Sequence, residues 1–269
     1  QIAREFDAAM NPAGTLGVFT TAKDRSTELR DAVRAHAGNG TANGLWAQVT
    51  GGKTKLKGIS TGAQDLDLDT DAYGLAVGGE AALQNITLGA AFMGGSGKTE
   101  NDSVAGKDDF NYYGISFYAK TQVQGIDLEG DVSAAWLKSD LTVGGAADVD
   151  TDTTTAVYSL GIQAKKTFNL GVDVTPFIGM DVYHIKSDGF TTNHGVSIED
   201  ANATIVEFPI GAEVKKALQT SSGFSVAPSF SLAVVPTVGC KDIDSKVRFA
   251  GAESTYNFTF ADDVKVRSQ

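Results

Sequence analysis

From Leu45 onward, apolar residues recur at every second position. Tyr73, Leu75 and Val77 alternate with Gly74, Ala76 and Gly78, and Ile86, Leu88, Ala90 and Phe92 repeat the pattern. Tyr113, Ile115 and Phe117 alternate with Gly114 and Ser116, and Ile126, Leu128, Val132, Ala134 and Trp136 oppose Asp127, Glu129, Asp131 and Ser133. The same period runs through 158–162, 172–182, 206–214 and 230–234. A period of two marks β-strands with one large apolar face and one small, polar or charged face. Many of these runs exceed the roughly five or six residues usual for strands of soluble proteins. Tight connections at 83–85, 124–125, 169–171 and 221–223 alternate with long, acidic, Gly/Asp/Thr-rich stretches near 57–70, 94–109, 139–153 and 187–202. Long strands with two classes of connection predict an all-β fold, a transmembrane antiparallel β-barrel rather than a sandwich. About ten strands are visible, with an eleventh opening at Asp263, and an even number is needed to close such a barrel.

Before Leu45 the period differs. Residues 1–20 are weakly patterned, with Asn11-Pro12, Gly14 and Gly17 as breakers. Residues 21–37 are rich in helix formers and are stopped by Gly38-Asn39-Gly40, so the spacing predicts a helix there. Lys23, Thr27, Arg30 and Arg34 share one side, and Asp24, Glu28 and Asp31 form an adjacent acidic strip. Leu29 and Val33 are the chief large apolar residues, so this helix suits a wet, polar cavity and not lipid. Its length, roughly 25 Å, is close to the height of a membrane barrel's apolar band. A short spacer at 38–43 keeps it near the barrel mouth, inside the lumen.

Composition narrows the picture. The chain has 269 residues, 22 Lys and Arg against 33 Asp and Glu, and a net charge of -11, which excludes nucleic acid as the obvious partner. The single cysteine, Cys240, excludes an internal disulfide framework. Mean hydropathy is -0.09 and no apolar run is long enough for a membrane helix, whereas alternating barrel strands average to such a value.

No motif carries catalytic or cofactor chemistry. Gly94-Gly95-Ser96-Gly97-Lys98-Thr99 has the end of a phosphate-binding loop, but Phe92 stands where its first glycine belongs and no helix pattern follows, so the stretch reads as a surface loop. Asp65, Asp67, Asp69 and Asp71 alternate, yet a calcium loop needs Gly and Glu where Thr70 and Ala76 stand. His36, His184 and His194 lack ligand spacing, and no Gly-x-Ser-x-Gly elbow occurs. Asn85, Asn202 and Asn257 begin glycosylation sequons that read as chance matches. The sharper feature is electrostatic: Asp127, Glu129 and Asp131 fall on the luminal parity and are expected to pair with Lys23, Arg30 and Arg34, holding the helix as a plug.

The order of parts resembles the autotransporter β-domain family. The element Glu28-Leu29-Arg30-Asp31, the Gly/Asn spacer, Gly44-Leu45-Trp46-Ala47-Gln48 and the Gly51-Gly52 pair look like that domain's start. Thr175-Pro176-Phe177-Ile178-Gly179, Tyr183 and Asp188-Gly189-Phe190 look like its middle. The resemblance covers residues 18–269. It implies a bacterial outer-membrane barrel, twelve-stranded when complete, with a luminal helix, that exports and anchors a passenger encoded upstream. It also implies help from the outer-membrane barrel assembly machinery, a monomeric state and no cofactor. Residues 1–20 then read as the end of passenger or linker, 21–38 as the linker helix, and 44–269 as a barrel lacking its final strands and terminal aromatic residue. Some members cut their linker at an Asn pair; no Asn lies between Val18 and Ala37. A porin-like diffusion channel and a soluble β-barrel ligand-binder are the alternative readings.

Overall fold

The computed structural model describes residues 13–36, 44–60, 65–101, 106–143, 149–191, 195, 197–216, 218–219, 225–226, 228–239, 242–249, 252–259 and 264–268. Among the described residues, one helix, α1 (Ala13–His36), precedes eighteen strands. The long antiparallel ones are β1 (Gly44–Ser60), β2 (Asp65–Leu83), β3 (Ile86–Asn101), β4 (Gly106–Val123), β5 (Ile126–Val143) and β6 (Val149–Lys165). After the two-residue β7 (Phe168–Asn169) comes β8 (Asp173–Ser187), and after the short β9 (Phe190–Thr191) and β10 (Ser197–Ile198) come β11 (Ala201–Glu207) and β12 (Ile210–Lys215). The chain continues through β13 (Leu218–Gln219), β14 (Ser225–Val226), β15 (Ser229–Gly239), β16 (Asp242–Phe249), β17 (Ala252–Thr259) and β18 (Val264–Ser268).

The main sheet runs β1-β2-β3-β4-β5-β6-β8 and continues through β11, β15 and β12, with β18 on β15. β11 and β12 keep one register against both β8 and β15, so they are halves of a single strand. Its ladder is interrupted at Phe208-Pro209, where the proline has no N–H to give. β16 and β17 form a hairpin that pairs with β10 and β9. Side-chain alternation fixes every long register, because a slip of one residue would turn each apolar face inward. The Gln124-Gly125 turn has both residues at positive φ, as a two-residue hairpin requires.

The wall is inverted relative to a soluble protein. Leu75, Phe92, Ile115, Phe117, Val132, Leu160 and Ile162 are exposed, while Ser116, Ser133, Thr155, Ser159, Asp131 and Asp181 are buried on the inner face. The inner face also buries large apolar residues, among them Met93, Leu137, Val157 and Ile185, which pack with the helix instead of leaving the face wholly small or charged. A large exposed apolar band beside an interior that holds buried charges is the signature of a lipid-facing barrel. No helix among the described residues is long and apolar enough to cross a membrane. On the luminal side, aromatic rings lie flat over cross-strand glycines: Tyr118 on Gly89, Trp46 on Gly78, Phe110 on Gly97. Val132 lies near the centre of the outward apolar run of β5. Arginine there is expected to destabilise the barrel by about 2–4 kcal/mol. At Thr142, exposed at the far end of the same strand, the cost should stay within about 0.5 kcal/mol. Reversible guanidinium unfolding in lipid vesicles measures both, and equal costs would mean that the apolar band does not contact lipid.

Two expectations need correction. The stretches near 57–70, 94–109 and 139–153 are largely strand, not loop: β3 reaches Asn101, β4 opens at Gly106, β5 reaches Val143 and β6 opens at Val149. Their outward residues are charged instead of apolar, and they pair across strands: Lys53 with Asp71 at 3.1 Å, and Lys55 with Asp69 at 2.5 Å. The ladder therefore continues past the apolar band as a polar extension in water. Gly94–Thr99 lies within β3 and so makes no phosphate-binding loop. Strands of 15 to 19 residues exceed the roughly 9–11 needed to span a bilayer. The helix, in turn, begins at Ala13 and not near 21. Gly14 and Gly17 do not break it, because Val18 and Phe19 are fully buried and Gly17 packs beside Leu68, and tertiary burial outweighs their weak propensity. The spacer 38–43 and His194 lie outside the described residues.

Candidate functional site

α1 lies within the barrel. It touches β1 to β6 and β8, and residues on every side of it are buried, from Val18, Phe19 and Ala22 to Lys23, Ser26, Arg30 and Val33. Its direction is fixed by contacts at both ends. Near its start, Thr21 hydrogen-bonds Thr99 at 3.2 Å, in the polar extension of β3. At its end, His36 stacks on Trp46 with ring centroids 4.3 Å apart, beside the tight turns. The N-terminus of α1 thus faces the mouth made by the strand extensions.

The two strips read from the sequence meet different walls. On the basic strip, Arg30 Nε lies 2.9 Å from Asp131 Oδ2 on β5, and Arg30 Nη1 lies 3.4 Å from Asp181 on β8. Arg34 Nη2 is 2.7 Å from Asp181 and 3.5 Å from Asp131. Two guanidinium groups and two carboxylates thus form one closed cluster, with Arg30 and both acids fully buried. Lys23, about two turns from Arg30 toward the outer mouth, pairs with Glu207 on β11. Between them stands Tyr183 on β8. Thr27 donates to its hydroxyl at 3.1 Å, and its ring lies 4.8 Å from the Arg30 guanidinium and 5.2 Å from the Lys23 ammonium. The ring's negative face adds to the attraction for both cations. On the other strip, Glu28 accepts from Arg25 at 2.6 Å, and the Arg25 guanidinium lies over Tyr112 on β4.

The fit depends on missing side chains. A Cβ on Gly161 would meet Asp131 Oδ1 at 2.5 Å, Arg30 Nε at 2.7 Å and Arg34 Nη2 at 2.7 Å, so this glycine is the floor of the ionic cluster. Gly114 serves Leu29 in the same way, with 2.9 Å between a Cβ there and Leu29 Cδ2. At the inner end, Trp46 donates to Tyr118 at 3.1 Å and Tyr118 donates to Glu80 at 2.9 Å, which also faces Lys120. The helix does not fill the lumen completely. A cavity of about 270 Å³ remains beside its last turns, lined by Asp31, Arg34, Gln163, Lys165, Glu213 and Lys215 among others.

Among the residues expected from the sequence, the structure brings Arg30 and Arg34 to Asp131. It brings neither Asp127 nor Glu129 into a salt bridge with a helix cation, although the charge of Arg34 reaches Glu129 at longer range. Asp127 accepts from Gln122 at 2.8 Å across the hairpin turn, and Glu129 faces Lys165 at 3.5 Å on the neighbouring strand. Successive luminal positions on a strand are separated by nearly 7 Å, or about 13 Å for Asp127 to Asp131, so only the outermost of the three reaches the level of Arg30. Lys23 pairs with Glu207 instead of that trio. Asp181, Glu207 and Tyr183 were legible as luminal from their parity, but nothing in the period showed which strands stand opposite the helix.

The comparisons agree with this architecture. The translocator domain of autotransporter NalP from Neisseria meningitidis shares 13% identity over 92% of this chain and 95% of its own, with a TM-score of 0.55. The beta domain of the Bordetella autotransporter Brka shares 14% over 85% and 96%, with a TM-score of 0.55. The transport unit of the autotransporter AIDA-I from Escherichia coli shares 14% over 85% and 78%, with a TM-score of 0.54. Comparison with curated protein sequences gives no match. Residues 45–267 match the autotransporter beta-domain as a family, and the chain belongs to that family.

Proposed function

We propose that this chain is the translocator of an outer-membrane autotransporter: its barrel exports an upstream passenger and α1 then stays in the lumen as tether and plug. The observation that carries the reading is the helix itself. It runs through the barrel with its N-terminus toward the polar extensions, so a polypeptide joined upstream leaves at that mouth. Lys23, Arg30 and Arg34, held by Glu207, Asp131 and Asp181, fix its depth. Insertion through the barrel assembly machinery and a monomeric working state belong to the same reading, since one barrel contains the whole path. No step calls for a cofactor or a catalytic residue. A diffusion channel is the poorer reading, because a porin lumen is not occupied by its own buried helix.

The test is export. A small folded epitope joined upstream of residue 1, in a bacterium with an outer membrane, should appear on intact cells and be removed by external protease. The same epitope joined to α1 without the barrel should stay inside. An epitope that is inserted with the barrel yet remains protected from protease would overturn the translocator reading.

A further inference from the structure

The outer face of the wall carries a charge pattern that neither export nor the plug uses. Tyr73, Tyr113, Trp136 and Tyr158 stand at the outer edge of the apolar band, with Tyr113 and Trp136 stacked at 5.4 Å. Aromatic side chains favour the membrane–water boundary, so this girdle marks the headgroup level. The first charged outward-facing residues beyond it are Lys53 on β1, Asp71 on β2, Lys98 on β3, Asp109 on β4, Lys138 on β5, Asp152 on β6 and Lys186 on β8. That is four lysines against three aspartates, a local excess of cations in a chain whose net charge is -11. The next outward positions carry Lys55, Asp69, Glu100, Lys107 and Asp140.

The four lysines are not equivalent. Lys53 registers against Asp71, and Lys98 registers between Asp71 and Asp109, so these carboxylates neutralise part of their field. Lys138 registers between Asn111 and Thr154, and Lys186 registers between Ala156 and Asn202. Both are exposed and form no ion pair among the described residues. They flank β6, two inter-strand spacings across and two residues along, or about 12 Å apart. Between them β6 offers only Thr154 and Ala156, small residues that leave the gap open. Directly inward lie Tyr158 and His184, whose ring bonds Thr204, and next to them Leu160 and Val182 begin the lipid-facing surface. A flexible ammonium on each side, a hydroxyl between and an apolar floor below match a phosphate group joined to acyl chains.

We propose that Lys138 and Lys186, across the Thr154–Ala156 segment of β6, hold the phosphate of an anionic outer-leaflet lipid whose chains lie on Tyr158, Leu160 and Val182. The site rests on the reading of the wall as membrane-embedded and is independent of the passenger. Charge complementarity selects the phosphate, and the adjoining apolar band selects a lipid over a soluble anion.

The test places the chain in phosphatidylcholine vesicles with a small fraction of a dansyl-labelled lipid, either the phosphate monoester phosphatidic acid or phosphatidylcholine. Energy transfer from Trp136 reports enrichment at the wall. Transfer should saturate at a lower mole fraction for phosphatidic acid than for phosphatidylcholine. The variant with Lys138→Gln and Lys186→Gln should raise that fraction about tenfold, whereas Lys53→Gln with Lys98→Gln should shift it less than about twofold. Millimolar inorganic phosphate should not displace the probe. Equal curves for the two lipids, an unchanged curve in the Lys138/Lys186 variant, an equal loss in the Lys53/Lys98 variant, or displacement by inorganic phosphate would each overturn the site while leaving the barrel in place. Absence of transfer to either probe would remove the membrane reading and this site with it.

Discussion

Alanine at Arg30 is expected to destabilise the folded chain by about 3–5 kcal/mol, the usual cost of breaking a buried ion pair from one side. The guanidinium is fully buried and lies between Asp131 and Asp181, whose side chains are equally inaccessible. Its removal leaves two adjacent carboxylates to share Arg34 alone, and it also removes the cation over the Tyr183 ring. Lysine is not expected to restore the loss, because a single ammonium cannot reproduce the planar fork that reaches two strands at once. The contrasting variant is Lys53→Ala. Lys53 also forms an ion pair, with Asp71, but both partners are about half exposed, and the expected cost is under about 1 kcal/mol. Raising salt to 1 M should weaken the exposed pair and leave the buried one nearly unchanged, since the screening length falls to about 3 Å only where solvent reaches. Unfolding by guanidinium would add salt of its own, so urea in lipid vesicles is the measurement. If both variants cost the same, the lumen around Arg30 is wet enough to screen the cluster, and it does not anchor the helix.

The contrast between these two pairs also explains what the sequence could reveal. Alternation placed Asp131, Asp181 and Glu207 on the inner face and Leu75, Ile115 and Leu160 on the outer face, because a period of two needs only local steric rules. Depth along the barrel is a different quantity. It depends on strand tilt and stagger, which are set by pairing across the whole sheet. Asp127 and Asp131 share a face in the sequence, yet Asp127 bonds at a turn while Asp131 sits in the ionic cluster. The same limit hid Tyr183, which looks like any luminal tyrosine until β8 is seen opposite Thr27 and Arg30. The strand extensions were hidden for another reason. Asp, Thr, Gly and Lys are ordinarily loop residues, and only the cross-strand partners, such as Asp71 beside Lys53 and Lys98, reveal that they continue a ladder. The first turns of α1 were missed because Gly14 and Gly17 are poor helix formers, while the packing of Val18 and Phe19 against the wall cannot be read from propensity.

Deletion of residues 1–38 should convert the barrel from a closed or nearly closed state into a steady aqueous channel. A helix with its side chains is about 10–12 Å across, so its removal frees a path of that width through a wall lined by serine, threonine and carboxylates together with apolar residues such as Met93, Leu137, Val157 and Ile185. With the helix in place, a small cavity near Arg34 and Glu213 is among the free space left beside it, and a low baseline conductance is expected. The strands should survive the deletion, since their registers rest on backbone pairing and on the lipid-facing band, neither of which involves α1. The newly uncovered Asp131, Asp181 and Glu207 no longer need the helix cations, because water enters with the loss of the plug and hydrates them. Their charge should make the open channel cation-selective, in proportion to the carboxylates left without Lys23, Arg30 and Arg34. Single-channel recording in a planar bilayer, with a potassium chloride gradient across it, reads both conductance and selectivity. Changing only Arg30 and Arg34 to alanine should give an intermediate result: brief openings as a loosened helix shifts in the lumen. Equal conductance with and without residues 1–38 would mean that the helix does not obstruct the path, and the plug role would be lost even if export remained.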